Sequence, residues 1–268
     1  MVERHAEGGL SFSYYENRLR QAASKPEARR RLEDLFRVYE QIVWGAKKLG
    51  IKDTYFMGSL ASPNLRDYRP HDDVDFFIPD EGDLQRLIKL LNFRDRRPVA
   101  LHGSSLHYLT HPGNGVPVEL RSGVPSMQIE GRRVYYFKQP IWSKLLMPQP
   151  MVMPPSALSD AGETLSWNGV ASRFVRPEYH WMVKVASPYL KDLLDANILE
   201  KSSHLDVEIM TRIRHEVKMA GGTMVLPIPL ISIIRSFGFW NLSNEDYRLL
   251  HDKSLSNRSS RSVFSGRV

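Results

Sequence analysis

The chain has 268 residues, 42% of them apolar and 25% charged, which is ordinary for a soluble globular protein and enough to bury a sizeable core in two subdomains. It holds no cysteine, so disulfides, thiolate zinc sites and cysteine nucleophiles are excluded together. A net charge of +7 favours an anionic partner, with nucleic acid and nucleoside triphosphate fitting equally, and the lack of a long apolar run or a signal-like start predicts a cytosolic protein that does not enter a membrane.

From about Ser24 to Leu49, Leu32, Leu35, Phe36, Tyr39, Ile42, Val43, Ala46 and Leu49 recur at three- and four-residue spacing, which predicts one long amphipathic helix. Ser24 and Pro26 open it and Gly50 closes it. Arg29, Arg30 and Arg31 at its head read as a solvated face, with a phosphate-contacting patch as the alternative.

Thr54 to Pro79 reads as a strand, a small-residue turn at Gly58-Ser59, a basic loop and a second strand, Asp73-Val74-Asp75-Phe76-Phe77-Ile78. Alternation along that strand puts Asp73 and Asp75 on one face and Val74, Phe76 and Ile78 on the other. Two carboxylates side by side repel and lose solvation, an arrangement a fold avoids unless a cation sits between them. Magnesium suits, because it takes a few carboxylates with water and substrate phosphates. At Gly58-Ser59, small residues let backbone N–H groups and a hydroxyl approach a phosphate. A lone Asp-x-Asp is more often a solvated edge or turn than a metal site; preceded by Gly-Ser and bracketed by apolar strand residues, it favours phosphoryl or nucleotidyl transfer.

Pro79-Asp80-Glu81-Gly82 next caps a short helix with Leu84, Leu87, Ile88 and Leu91 inward. Strands follow at about Ser105 to Thr110 and Val116 to Arg121, joined by His111-Pro112-Gly113-Asn114-Gly115. In the second, Val116, Val118 and Leu120 face one way and Glu119 and Arg121 the other. Glu119 is thus a carboxylate on a core strand, with pairing to Arg121 or a neighbouring lysine as its plain alternative, while His107 reads as a structural histidine. A hairpin runs from about Met127 to Phe137, turning at Glu130-Gly131.

Leu146 to Leu158, rich in proline, reads as an irregular connector and sets a domain boundary near residue 150, although Leu165 to Val175 can add strands to the first half. Beyond it the pattern is mainly helical up to residue 252. Arg176-Pro177-Glu178 opens one helix, a second carries Lys191, Asp192, Leu194, Asp195 and Ile198, and amphipathic stretches lie near Leu205 to Met219, Pro227 to Phe237 and Asn244 to His251. Residues 253–268, rich in serine and arginine, read as a basic disordered tail.

Gly58-Ser59, a short loop and Asp73-x-Asp75 on a strand resemble the nucleotidyltransferase superfamily with its polymerase-beta-like fold. Arg69-Pro70-His71-Asp72-Asp73-Val74-Asp75-Phe76-Phe77 looks most like the Arg-x-x-x-Asp-x-Asp-Phe-Phe run of AbiEii-like nucleotidyltransferase toxins. It is also similar to the Arg-x-His-x-Asp-x-Asp run of lincosamide and aminoglycoside nucleotidyltransferases. The loop before Asp73 is longer than usual for the family, and Pro63-Asn64 stands where a glycine is common. A second resemblance covers Lys184, the Lys191-Asp192 pair and Asp195, though the arginine usual between the lysine and the pair is missing from Val185 to Leu190.

The resemblance implies an α+β fold: a mixed twisted sheet with helices on one side, plus a C-terminal helical subdomain. It implies that Asp73, Asp75 and Glu119 hold two magnesium ions, and that Gly58, Ser59, Arg69, Lys184 and Lys191 bind a nucleoside triphosphate. Asp192 would orient Lys184 or help to activate the acceptor, with Asp195 in support. A nucleoside monophosphate would pass to an acceptor hydroxyl with release of pyrophosphate. The toxin-like run implies an RNA 3′ end, tRNA first, as acceptor and an antitoxin protein as a partner. The alternatives are a small-molecule antibiotic as acceptor, or a non-catalytic protein of the same fold that binds RNA or a partner.

Overall fold

The computed structural model describes residues 12–96, 105–138, 152–185, 190–202 and 205–221. Residues 146–151 of the proline-rich connector, the two amphipathic stretches beyond residue 226 and the basic tail lie outside the described residues. Arg20 to Leu226 form one compact unit that holds all of the described strands.

Helix α1 (Phe12–Ala23) precedes α2 (Pro26–Lys48), so the predicted helix begins where expected but has another helix ahead of it. Ser24 and Lys25 separate the two, and Pro26 enters α2 in its first turn, where a missing N–H costs nothing. The predicted apolar stripe is the buried one: Leu35, Val38, Tyr39, Ile42, Val43 and Ala46 lie inside.

Ten strands follow among the described residues: β1 (Tyr55–Met57), β2 (Val74–Phe77), β3 (Arg94–Asp95), β4 (Leu106–Thr110), β5 (Pro117–Arg121), β6 (Val124–Ile129), β7 (Arg132–Tyr136), β8 (Val152–Met153), β9 (Leu165–Trp167) and β10 (Val170–Phe174). Seven form one mixed sheet in the order β3-β4-β5-β2-β1-β10-β9. Within it β2 runs antiparallel to β1 and parallel to β5. Strands β9 and β10, from beyond residue 150, complete this sheet, because β10 pairs in parallel with β1. The remaining three make a small sheet, β6-β7-β8. Its predicted hairpin turns at Glu130 and Gly131, both with positive φ, the conformation a two-residue turn requires.

One face of the large sheet is apolar. Phe56, Val74, Phe76, Val118 and Leu120 pack there with α2 and with Leu84 and Leu87 of α4 (Glu81–Leu91), as the alternation of β2 and β5 predicts. On the opposite face Tyr55, Met57 and Phe77 pack with Tyr179 and Met182 of α5 (Pro177–Val185) and Ile213 and Val217 of α7 (Val207–Met219). Helix α6 (Leu190–Ser202) lies beside α5.

The stretch between β1 and β2 departs from the expected loop. Ser59–Ala61 form a 3-10 turn, and Pro63–Arg66 a single helical turn, α3. Local propensity is weak over so few residues; tertiary contact supplies the rest, since Leu65 is buried against Ile198 and Leu199 of α6.

Candidate active site

Asp73 stands just before β2 and Asp75 within it, and Glu119 is directly opposite Asp75 on β5. One carboxylate oxygen from each of the three lies within 4.8 Å of the others. Burial, then the charges of Asp73 and Glu119, push the Asp75 carboxyl well above its usual range, against the opposing pull of Arg121 and Lys184. Three converging hard oxygen donors with an excess of negative charge fit a divalent cation of the magnesium type.

The turn beside them is built on a close approach. Gly58 has φ +77° and ψ −171°, and a Cβ there would stand 1.9 Å from Asp75 Oδ2. The Gly58 N–H donates to His180 Nε2 at 3.2 Å. Ser59 Oγ lies 2.9 Å from His71 Nδ1, while His71 Nε2 lies 3.1 Å from the Leu65 carbonyl. A carbonyl only accepts, so Nε2 carries a proton, and in the neutral ring Nδ1 then accepts from the Ser59 hydroxyl. Both the Gly58 N–H and the Ser59 O–H are therefore spent within the protein, and Ser59 presents lone pairs to anything else. His180 is suited to accepting: burial, then the charges of Lys184 and Arg121, pull its pKa down to about 3, which keeps the ring neutral.

The basic residues are tied into a buried network. Arg69 donates to both oxygens of Asp195 at 2.8 and 2.9 Å and to the Pro70 carbonyl at 3.0 Å. Lys184 Nζ donates to Asp192 at 2.9 Å and to Asp195 at 2.7 Å. Burial alone would raise the Asp195 carboxyl, but Arg69 and Lys184 outweigh it and hold the group well below its usual range. Burial likewise works against the Lys184 ammonium, and Asp195 and Asp192 reverse the effect. The network thus ties the approach to β2 to helices α5 and α6. Nearby, Arg31 donates to the Asp72 carbonyl at 2.6 Å, whereas Arg29 and Arg30 are exposed.

Of the residues singled out in the sequence, Asp73, Asp75 and Glu119 are gathered together, with Gly58 packed on Asp75. Lys184 bonds both Asp192 and Asp195, and Arg69 bonds Asp195. Lys191 lies on α6, but its side chain is outside the described residues. Arg66, at the end of α3 in the loop expected to be basic, is occupied with the Leu60 carbonyl and the Trp167 ring. His107 Nε2 lies 3.0 Å from Glu81, a structural contact as expected.

Arg121, the alternative partner expected for Glu119, has its Nη2 3.8 Å from Glu119 Oε2. One residue, His180, went unremarked in the sequence. His180 shares a helix face with Lys184 by its spacing, but nothing local announces its bond to Gly58.

No protein-family model matches the chain, and no curated protein does. Solved nucleotidyltransferases are among the structures it resembles. The nucleotidyltransferase toxin MenT4 from Mycobacterium tuberculosis H37Rv is 13% identical over 95% of this chain and 99% of that one, at a TM-score of 0.40. ANT(2″)-Ia in complex with adenylyl-2″-tobramycin is 14% identical, covering 69% of this chain and 97% of the other, with a TM-score of 0.44. An antigenic nucleotidyltransferase-like protein from Paracoccidioides brasiliensis is 20% identical over 70% and 88%, with a TM-score of 0.38.

Proposed function

We propose that this protein is a metal-dependent nucleotidyltransferase that moves a nucleoside monophosphate from a nucleoside triphosphate to an acceptor hydroxyl. The observation that carries the reading is the convergence of Asp73, Asp75 and Glu119 within 4.8 Å beside a turn pressed against one of them. Asp73, Asp75 and Glu119 would hold magnesium, two ions in the full reading. When bound, the metal polarises the phosphate and stabilises charge on the attacking and leaving oxygens. The acceptor oxygen bonds to the α-phosphorus, the bond from that phosphorus to the bridging oxygen breaks, and pyrophosphate leaves with the electron pair. The acceptor proton passes to a carboxylate or to water.

Gly58 keeps the carboxylates accessible by having no side chain. Lys184, with two of its three donors committed to Asp192 and Asp195, has one left for a phosphate oxygen. Arg69 acts here through Asp195, bracing the lysine.

For the acceptor we favour an RNA 3′ end, tRNA first, in the cytoplasm. Two features support this: the net charge of +7, and exposed Arg29 and Arg30 next to an Arg31 that is bonded one residue before Asp73. An antitoxin partner would accompany a toxin role. Incubation with each α-labelled triphosphate and total cellular RNA tests the reading. Magnesium-dependent label at RNA 3′ ends supports it; label on an aminoglycoside or lincosamide instead identifies a small-molecule enzyme. RNA binding without transfer, indifferent to magnesium and to loss of the acids, sinks it.

A further inference from the structure

We propose that Arg121 is the residue that grips the outer phosphates of the nucleotide, moving to them from Glu119 when a cation takes that carboxylate. The proposal rests on the nucleotidyl-transfer reading and names a residue to which that reading gives no part.

Arg121 follows Glu119 by two positions on β5, opposite Phe77 of β2, so both side chains leave the same face of the sheet. Its Nη2 is 3.8 Å from Glu119 Oε2, beyond hydrogen-bonding range, which makes the pair an electrostatic contact and not a fastened bridge. Its Nε is buried and has no hydrogen-bond partner. The other cations of the site contrast with it: Arg69 has all three nitrogens in hydrogen bonds, and Lys184 is held by two carboxylates. Among the described residues Arg121 is therefore the cation beside the acids that is least committed to the protein. Its charge is felt at Asp75 ahead of that of Lys184.

A buried guanidinium nitrogen without a partner is an incomplete arrangement, and buried donors are normally completed by something. A carboxylate that must turn to a metal is a poor permanent partner. The outer phosphates supply what is missing, because their tetrahedral oxygens match the planar fork of a guanidinium. The cation would then stand where the pyrophosphate gains charge as its bond to the α-phosphorus breaks. Before the nucleotide arrives, the same charge offsets the repulsion among the three acids.

Arg121→Gln and Arg121→Lys separate this role from that of a mere counter-ion. Three quantities are read for each: thermal melting without metal, Mn2+ affinity by paramagnetic resonance, and the ratio of affinities for Mn2+-bound nucleoside triphosphate and monophosphate. The proposal predicts that Arg121→Gln binds Mn2+ at least as tightly as the unchanged protein. It should lose its preference for triphosphate over monophosphate by roughly tenfold to a hundredfold, with Arg121→Lys falling between. An unchanged preference in a folded Arg121→Gln protein that binds Mn2+ more tightly overturns the proposal and leaves Arg121 a counter-ion. Should Arg121→Gln fail to fold, a Lys variant with full preference overturns it as well. An unchanged protein that binds Mn2+ yet does not distinguish triphosphate from monophosphate overturns the nucleotidyl-transfer reading itself.

Discussion

Gly58 and Asp75 are packed so closely that the missing side chain of one is the space occupied by the carboxylate of the other: a Cβ on Gly58 would lie 1.9 Å from Asp75 Oδ2 and 2.7 Å from its Cγ. The backbone there, at φ +77° and ψ −171°, is in a region that glycine alone adopts freely. Gly58→Ala should therefore cost about 1–3 kcal/mol of stability from strain. It should also displace the Asp75 carboxylate, so Mn2+ affinity is expected to fall further than the melting temperature suggests. Calorimetric melting and Mn2+ titration of the same preparation check this.

The three acids repel one another, and Asp75 bears most of the consequence. Asp75→Asn should raise the melting temperature of the metal-free protein, since it removes a partly buried charge that its neighbours disfavour. Magnesium should raise the melting temperature of the unchanged protein by mass action and leave Asp75→Asn and Glu119→Gln unmoved. Nucleotidyl transfer in either variant should drop by several orders of magnitude. Paired melts with and without magnesium or a chelator decide the first two points.

Asp195 is fully buried between Arg69 and Lys184, so removing one partner leaves charge stranded. Arg69→Met is expected to destabilise the fold by about 3–5 kcal/mol. The double variant Arg69→Met/Asp195→Leu should be less destabilised than the two single changes summed, because Lys184 retains Asp192. Urea unfolding of the four proteins of the cycle measures the coupling.

His180 has a folded pKa near 3 against 6.5 when free, so the unfolded chain binds a proton between those values while the folded one does not. Stability from this group is complete above pH 6.5 and is lost as pH falls toward 3, with a slope approaching about 1.4 kcal/mol per pH unit. Asp75 acts with the opposite sign, since its raised folded pKa lets the native state take up a proton first. The depressed Asp195 carboxyl loses its contribution only at lower pH. Comparison with His180→Gln isolates the histidine: glutamine can still accept the Gly58 N–H but does not titrate. Its stability should fall less steeply between pH 6.5 and 4.5, as chemical denaturation at each pH would report.

The long helix, the Asp-x-Asp strand and the Glu119 strand were legible because each is governed by a period. Buried side chains recur at three and four residues in α2 and at two in β2 and β5, and those periods are written in residue order. The same alternation puts Glu119 and Arg121 on one face. The helical turn at Pro63–Arg66 was not legible, since four residues cannot sustain a helix by propensity and Leu65 depends on α6 for its burial.

Residue order thus settled which side chains could carry the chemistry: three acids, a glycine beside them, and a lysine with its aspartates. Long-range contact settled what each is free to do. The bond from Gly58 to His180 spans 122 residues and that from Arg69 to Asp195 spans 126, and both consume donors that the local pattern would have assigned to phosphate. Hydrogen-bond capacity is finite, so a donor's availability depends on every neighbour the fold brings to it, and such neighbours leave no trace in local spacing.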